Sequence, residues 1–297
     1  MKPLTDYIPV DPREGSTIRC YRYLGSHWMD SLTRMELKTA DIDDFNDIFD
    51  GRGSTTGEVS LDVVKRHIAE NISENVPGMS KDLLNRRLEH EDDKVLRELY
   101  SNRIKSAIIN REQMHECRII CFSDPQNCEA DRLMWSHYAN HWNGVRLGFD
   151  LLYDNHSDVK FVCPTTPFTL DCVRYDDARP IMDLSKLEAI VGDTYFTSCF
   201  RSALLTKSKA WQYENEWRMF VLKNQAEIRY VDNAPMYFWK FHPQLLKRVD
   251  IGPLVEEDQR NELVMFLSRE YPHVEITQVT LNEKDYGFEY RPIIKVL

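Results

Sequence analysis

Apolar positions recur along this chain at two different spacings, and each switch between them marks an element. Residues 18–24 (Ile-Arg-Cys-Tyr-Arg-Tyr-Leu) alternate and are rich in aromatics, which predicts a strand. Residues 28–37 predict a short helix. An acidic loop with two phenylalanines of buried type, Phe45 and Phe49, follows over 40–50, then a turn-rich linker from Gly51 to Gly57. From Ser60 to Glu116 the spacing turns helical: Leu61, Val64, Ile68 and Ile72 share a face, and Pro77-Gly78 breaks the run. Ser80 is placed to cap a second helix that Leu83, Leu84, Leu88, Val95, Leu96, Leu99, Ile104, Ile108 and Ile109 carry on. The apolar run 118–122 predicts a buried strand. A short aromatic-rich helical segment comes next, then a second strand over 144–149. Further strands are expected over 160–163, 169–175 and 274–281, with 217–222 and 227–231 as a strand pair. Helices are expected over 185–206 and 256–270, and 245–252 runs from a helix end into a strand. Strands and helices mix without regular βαβ alternation, which predicts an α+β fold. The expectation is one compact domain over 1–297, with a central split or twisted, mostly antiparallel sheet and a helical insertion over 58–116.

Composition narrows the class. The chain has 297 residues, 42% of them hydrophobic, enough for a substantial core. No run has the length of a membrane helix, and Met1-Lys2-Pro3-Leu4-Thr5-Asp6 lacks the charged and apolar regions of a signal peptide, so a cytoplasmic protein without membrane partners is expected. The net charge of -10 gives no global attraction for nucleic acid. Seven cysteines (20, 117, 121, 128, 163, 172, 199) are odd in number and irregular in spacing, so reduced, mostly buried thiols are expected and no metal site.

Two segments concentrate candidate chemistry. The first runs from Cys121-Phe122-Ser123-Asp124 through Trp135, His137, Tyr138, His141 and Trp142 to Gly144–Phe149. So many aromatic and imidazole groups between two strands suggest a pocket wall. His137 and His141 would share a helix face, but the segment lacks the glutamate of the zinc-protease pattern, and no elbow of the Gly-x-Ser-x-Gly type surrounds Ser123. The second is Lys207–Phe220. If it is extended from Tyr213, then Glu214, Glu216 and Arg218 share one face. Paired carboxylates beside an arginine can stabilise a developing cation; a solvated face with Arg218 pairing Glu216 is the plainer alternative. In the first strand Arg22 stands between Tyr21 and Tyr23, where a guanidinium can clamp a phosphate.

Three of these blocks, with the Phe45–Asp50 loop, resemble a bacterial family known as domain of unknown function 2971. The shared features are Tyr21-Arg22-Tyr23, the Phe-Asn-Asp-x-Phe-Asp loop at Phe45–Asp50, the Cys-Phe-Ser … Met-Trp-Ser-His-Tyr-Ala … Gly-Val … Gly-Phe block at 121–149, and Lys … Trp-x-Tyr-Glu-x-Glu-Trp-Arg at 207–218. Ile48 stands where that family usually has proline. The order of the blocks also resembles ADP-ribosyltransferases of the arginine–serine–glutamate class. That resemblance implies NAD as substrate, with catalytic Arg22, Ser123, Glu214 and Glu216. Arg22 would hold an NAD phosphate, Ser123 would seat the nicotinamide ribose, Glu216 would stabilise the cationic ribose and Glu214 would orient or deprotonate the acceptor. Tyr21, Tyr23, Trp135, His137, Tyr138 and Arg218 would complete the binding site, with Tyr138 or Trp135 stacking on nicotinamide.

The leading expectation is thus an NAD-dependent ADP-ribosyltransferase-like enzyme, a bacterial toxin or anti-phage defence effector acting on an acceptor macromolecule. The alternative from another class is a non-catalytic module that senses a nucleotide or other small ligand at the Trp135–Trp142 pocket and signals to a regulatory protein partner. A third is a metal-dependent nuclease or hydrolase using Asp47, Asp50, Asp124 and His137.

Overall fold

The computed structural model describes residues 16–76, 78, 80–98, 102, 117–124, 128–153, 168–188 and 194–294. Chain contacts divide it into two compact units. The first comprises 1–45, 116–173 and 210–297, the second 46–115 and 174–209.

The first unit is built on an eight-stranded sheet. Its strands are β1 (Ser16–Leu24), β4 (Cys117–Ser123), β5 (Val145–Tyr153), β6 (Phe168–Cys172), β10 (Glu216–Leu222), β13 (Leu246–Ile251), β14 (Glu275–Leu281) and β15 (Phe288–Pro292), in the order β15-β14-β13-β5-β1-β4-β10-β6. Every pairing is antiparallel except β13–β14, which the helix Glu257–Glu270 joins as a βαβ crossover. The α+β class and the mostly antiparallel sheet therefore hold. One junction differs from the rest. β1 matches β5 over nine register pairs and β10 matches β4 over seven, yet β1 meets β4 only at Tyr21↔Ser123. The sheet is pinned there at a single point.

Alternation gives the sheet one apolar and one polar face. Cys20, Phe122, Ile120, Leu147, Phe149, Met219, Val221, Val249 and Ile251 go to the core, where Leu32, Leu263 and Leu267 cover them. Tyr23, Ser123, Arg146, Glu216, Arg218 and Asp250 leave from the other face, also buried, and Asp131 of the helix Cys128–Tyr138 reaches Tyr23 and Arg146 there. A three-stranded sheet, β11 (Glu227–Val231), β12 (Ala234–Lys240) and β2 (Glu36–Lys38), completes this unit.

The second unit carries the expected helices. Leu61–Asn75 and Lys81–Leu88 are capped by Ser60 and Ser80, whose hydroxyls accept from the backbone N–H groups of Val63 and Leu83. They pack Val63, Val64, Ile68, Leu84 and Leu88 against Met182, Leu184 and Leu187. Two short parallel pairs complete the unit: β3 (Ser54–Thr56) with β8 (Ile181–Asp183) joins its two stretches of sequence, and β7 (Arg174–Asp176) with β9 (Thr206–Ser208) lies within the second of them.

Several expectations need correction. The first helix spans only Trp28–Arg34, because Met35 turns left-handed (φ 54°) and Glu36 opens β2. The Gly51–Gly57 linker contains β3. Phe49 is exposed and Phe45 half-buried; Ile42 and Asp50 are the buried residues of that loop. β10 and β11 do not pair with each other: β10 lies between β4 and β6, and β11 turns into β12 through Asp232 and Asn233, both at positive φ. The helix expected over 185–206 is confined, among described residues, to Thr194–Leu204. The strand expected over 160–163 lies outside the described residues. The described free thiols are Cys20, Cys117, Cys121, Cys172 and Cys199, of which only Cys20 is fully buried. No helix among the described residues is long and apolar enough to cross a membrane.

Two predictions follow from the core. A Cβ on Gly144 would stand 2.2 Å from the carbonyl oxygen of Leu24 and 2.8 Å from that of Ala139. Neither backbone can yield cheaply, so Gly144→Ala should destabilise the chain by about 1–3 kcal/mol or more; urea unfolding against wild type measures it. Burial raises both Cys20 and Tyr271 to about 12. Between their ordinary values and about 12 the folded chain holds more protons than the unfolded one. Stability is therefore full below pH 9 and falls as pH rises toward 12, a loss to be read from melting temperatures across that range.

Candidate functional site

The polar face of the large sheet is organised in two cross-strand rows. In the first, Thr277, Asp250, Arg146 and Tyr23 follow one another across β14, β13, β5 and β1. Arg146 is 5% exposed. Its Nε donates to Asp250 at 2.8 Å and its Nη1 to Asp131 of the overlying helix at 2.9 Å. Asp131 also accepts from the hydroxyls of Tyr23, at 2.5 Å, and Tyr290, while Asp250 accepts from Arg248 at 2.6 Å and from Thr277. The guanidinium of Arg146 stacks 4.5 Å from the ring of Tyr21 and 4.6 Å from that of Tyr290. Burial holds the Tyr23 phenol well above its ordinary value, so it remains a donor to Asp131. Each charge has an opposite partner, which is the condition for burying any of them.

The second row is Tyr21, Ser123 and Glu216, on β1, β4 and β10. It crosses the single bridge between β1 and β4. Glu216 is 4% exposed and both its oxygens accept from Arg218, Nε at 2.8 Å and Nη2 at 3.1 Å; Arg218 is wholly buried, with Phe45 4.8 Å away over its guanidinium carbon. The Glu-x-Glu pair is thus not a solvated face. Nor is it a single strand face: residues 209–214 form a 3₁₀ turn, Asn215 is left-handed (φ 42°) and β10 begins at Glu216. Glu214 reaches burial by that turn, and the Tyr138 hydroxyl donates to it at 2.5 Å.

Arg22 starts one position out of this row. Its register partner is Leu147, so it leaves β1 on the face opposite to Tyr21 and Tyr23. Its guanidinium then reaches back to β4, donating to the Cys121 carbonyl at 2.6 Å. Cys121 joins the two sides, because its thiol hydrogen-bonds Glu216; burial first, then the Glu216 charge, pushes that thiol well up. Two buried polar atoms here have no partner: Nε of Arg22 and Oγ of Ser123.

The remaining candidates separate into lip and core. His137 is exposed, with Tyr138 and Tyr213 at ring distances of 6.2 and 6.3 Å, and Trp211 lies 6.0 Å beyond Tyr213. Trp135 is wholly buried, edge-on to Tyr23 at 5.4 Å, with its indole donating to Tyr290. His141 does not share a helix face with His137: the helix ends at Tyr138, and Asn140, His141 and Trp142 all turn left-handed. Among the described residues no group of three or more His, Cys, Asp and Glu is placed to hold a metal ion. Asp47 and Asp50 belong to the second unit, where Asp50 pairs with buried Lys207 at 3.6 Å; Asp124 and His137 belong to the first. Sequence reasoning missed Asp131, Arg146, Asp250, Tyr290 and the role of Cys121. The signal for Arg146 and Asp250 was a charge placed inside an apolar run, as in Val145-Arg146-Leu147 and Val249-Asp250-Ile251.

These features define an α+β protein with a buried, charge-balanced polar sheet face that opens at one strand junction. Residues 134–219 match the model of a family described as Protein of unknown function (DUF2971). The resemblance to that family holds over this stretch, which includes Trp135–Tyr138 and Glu214–Arg218. No curated protein and no solved structure matches the chain.

Replacing Arg146 by methionine removes the cation between Asp131 and Asp250. A buried pair broken from one side costs about 3–5 kcal/mol, so Arg146→Met should lower the urea midpoint by more than any single change at the His137–Trp211 lip.

Proposed function

We propose that this chain is an ADP-ribosyltransferase-like enzyme that uses NAD at the junction of β1, β4 and β10. The observation that carries the reading is the Tyr21–Ser123–Glu216 row: the arginine-, serine- and glutamate-bearing strands are consecutive neighbours, and Ser123 and Glu216 are cross-strand partners. Arg22 and Glu216 both contact Cys121, one through its carbonyl and one through its thiol, although the two side chains leave the sheet on opposite faces. The unpartnered Arg22 Nε and Ser123 Oγ suit a phosphate oxygen and a ribose hydroxyl.

Glu216, held anionic and oriented by Arg218, stabilises positive charge at the ribose C1′ as the C1′–nitrogen bond breaks and its electron pair leaves with nicotinamide. The acceptor nucleophile then bonds C1′ and loses its proton to Glu214, which Tyr138 positions. The acceptor is a macromolecule whose identity these residues do not select; a toxin or defence role goes with it. A second reading, a module that binds the nucleotide without turning it over, is favoured by the fact that Arg218 already engages both oxygens of Glu216.

The test is NAD binding by calorimetry together with nicotinamide release. Wild type should bind and release nicotinamide. Arg22→Ala should weaken binding at least tenfold, and Glu216→Gln should bind but lose release by about 10²-fold or more. Binding with no release in wild type selects the second reading, and no binding at millimolar NAD rejects both.

A further inference from the structure

We propose that the outer edge of β11 is a self-association surface, where a second copy of this chain adds its own β11 antiparallel about a two-fold axis at Ile228. β11 ends the three-stranded sheet: it pairs with β12 on one side, and among the described residues no strand pairs with it on the other. The hairpin decides which backbone groups are left open. Asp232 and Asn233, both at positive φ, make the two-residue turn between Val231 and Ala234, so that pair exchanges hydrogen bonds. Alternation gives the same to Arg229 with Met236 and to Glu227 with Phe238. Ile228 stands opposite Tyr237, whose carbonyl is turned the other way and accepts from the Thr39 N–H at 2.9 Å. The peptide groups of Ile228 and Tyr230 therefore point outward, as a row of open donors and acceptors.

The side chains of this edge fit a copy of themselves in one register. Ile228 and Tyr230 share a face and are 51% and 74% exposed, although the same face of β12 buries Tyr237 and Trp239. Glu227 and Arg229 lie on the other face. With Ile228 opposite Ile228 of the second copy, Glu227 stands opposite Arg229 and Arg229 opposite Glu227. Both ion pairs then fall at the positions where cross-strand side chains come closest. On the apolar face the Ile228 side chains meet, and each Tyr230 lies beside Ala226 of the other copy. Moving the axis one residue, to Arg229, would set two guanidinium groups against each other. The charges can form these pairs. Glu227 holds Lys240 in an exposed contact at 3.0 Å, and Arg229, which reaches Glu36 with Nη2 across the ring of Phe238, keeps further N–H donors.

The backbone follows the same register. The two Ile228 residues exchange a pair of hydrogen bonds, and each Tyr230 N–H donates to the Ala226 carbonyl of the other copy. The Ala226 N–H is already spent on the Lys223 carbonyl at 3.3 Å. The strand, Glu-Ile-Arg-Tyr-Val, carries neither proline nor lysine, the residues by which natural edges resist such pairing. Glu-Ile-Arg read antiparallel complements itself in charge, which makes a second copy the occupant. A contact of one short strand lies well below the roughly 1,600 Å² of a standard interface, so the dimer is weak and forms at high concentration. The proposal does not rest on the transferase reading.

The experiment is sedimentation equilibrium of the full chain from about 1 μM to about 1 mM, a span that reaches weak association. Wild type should pass from monomer to dimer as concentration rises. Glu227→Lys sets a lysine against Arg229 at both ends, and Ile228→Lys sets two cations face to face. Each should weaken the dimer about tenfold or more. Both positions are exposed, so the variant monomers should melt as wild type does. Cysteine pairing reads the register. Ile228→Cys brings two thiols together across the axis with Cα atoms about 5.5 Å apart, within disulfide range, and should give an oxidised dimer above the wild-type background. Tyr230→Cys stands about four residues, roughly 13 Å, from its copy and should not. A monomer at every concentration overturns the proposal and leaves the edge to a strand of another protein. A dimer that both lysine variants leave intact also overturns it, as does one that Tyr230→Cys links and Ile228→Cys does not.

Discussion

Arg146 is the charge around which the first unit is assembled. It sits in the middle strand of the polar face and binds one aspartate from a neighbouring strand and one from the overlying helix. Without it Asp131 and Asp250 would be two buried negative charges, and the helix Cys128–Tyr138 would lose its ionic anchor to the sheet. With it, the tyrosines of β1 and β15 converge on the same carboxylate, and the helix that presents Tyr138 and His137 is fixed over the sheet. The candidate chemistry at Glu214 and Glu216 is thus positioned by a network that takes no part in it. Such networks work only when every member is satisfied.

The second row, where the proposed chemistry is placed, is built differently. Around Arg146 every polar group is matched. Around Ser123 two are not, and the strand pairing that would close the gap stops after one bridge. Glu216 is restrained by Arg218 from its own strand, a local contact that needs nothing from β1. The position of that carboxylate is therefore independent of how β1 and β4 pair.

Much of this was legible in the chain because burial follows spacing. β1, β4, β5, β13 and β14 stand where alternating or continuous apolar runs predicted them, and Ser80 caps the helix it precedes. The failures have physical causes. The Asp232–Asn233 turn is the short polar kind that joins strands, so its unread signal hid the β11–β12 hairpin and left β10 with the wrong partner. Glu214 and Glu216 looked like one strand face because two-residue spacing says nothing of a left-handed Asn215 between them. Trp135 and Trp142 looked like one wall; the first is core and the second lines a cavity, because the helix ends between them and Asn140, His141 and Trp142 itself turn left-handed. The Arg146 network escaped because its partners lie 15 and 104 positions away in sequence.

The interleaving of the two units has a consequence for how the chain acquires its structure. The first unit is drawn from three stretches of sequence and the second from two, so the polypeptide passes between them four times. β1 emerges from the ribosome early, but β13, which completes the sheet beyond its neighbour β5, follows more than 200 residues later. High contact order of this kind slows folding and leaves early strands waiting with open edges. The second unit, with its nearby helices, can close while the larger sheet is still incomplete. β1 gains both of its neighbours by residue 153, so the edges that wait longest are that of β4, which lacks β10, and that of β5, which lacks β13.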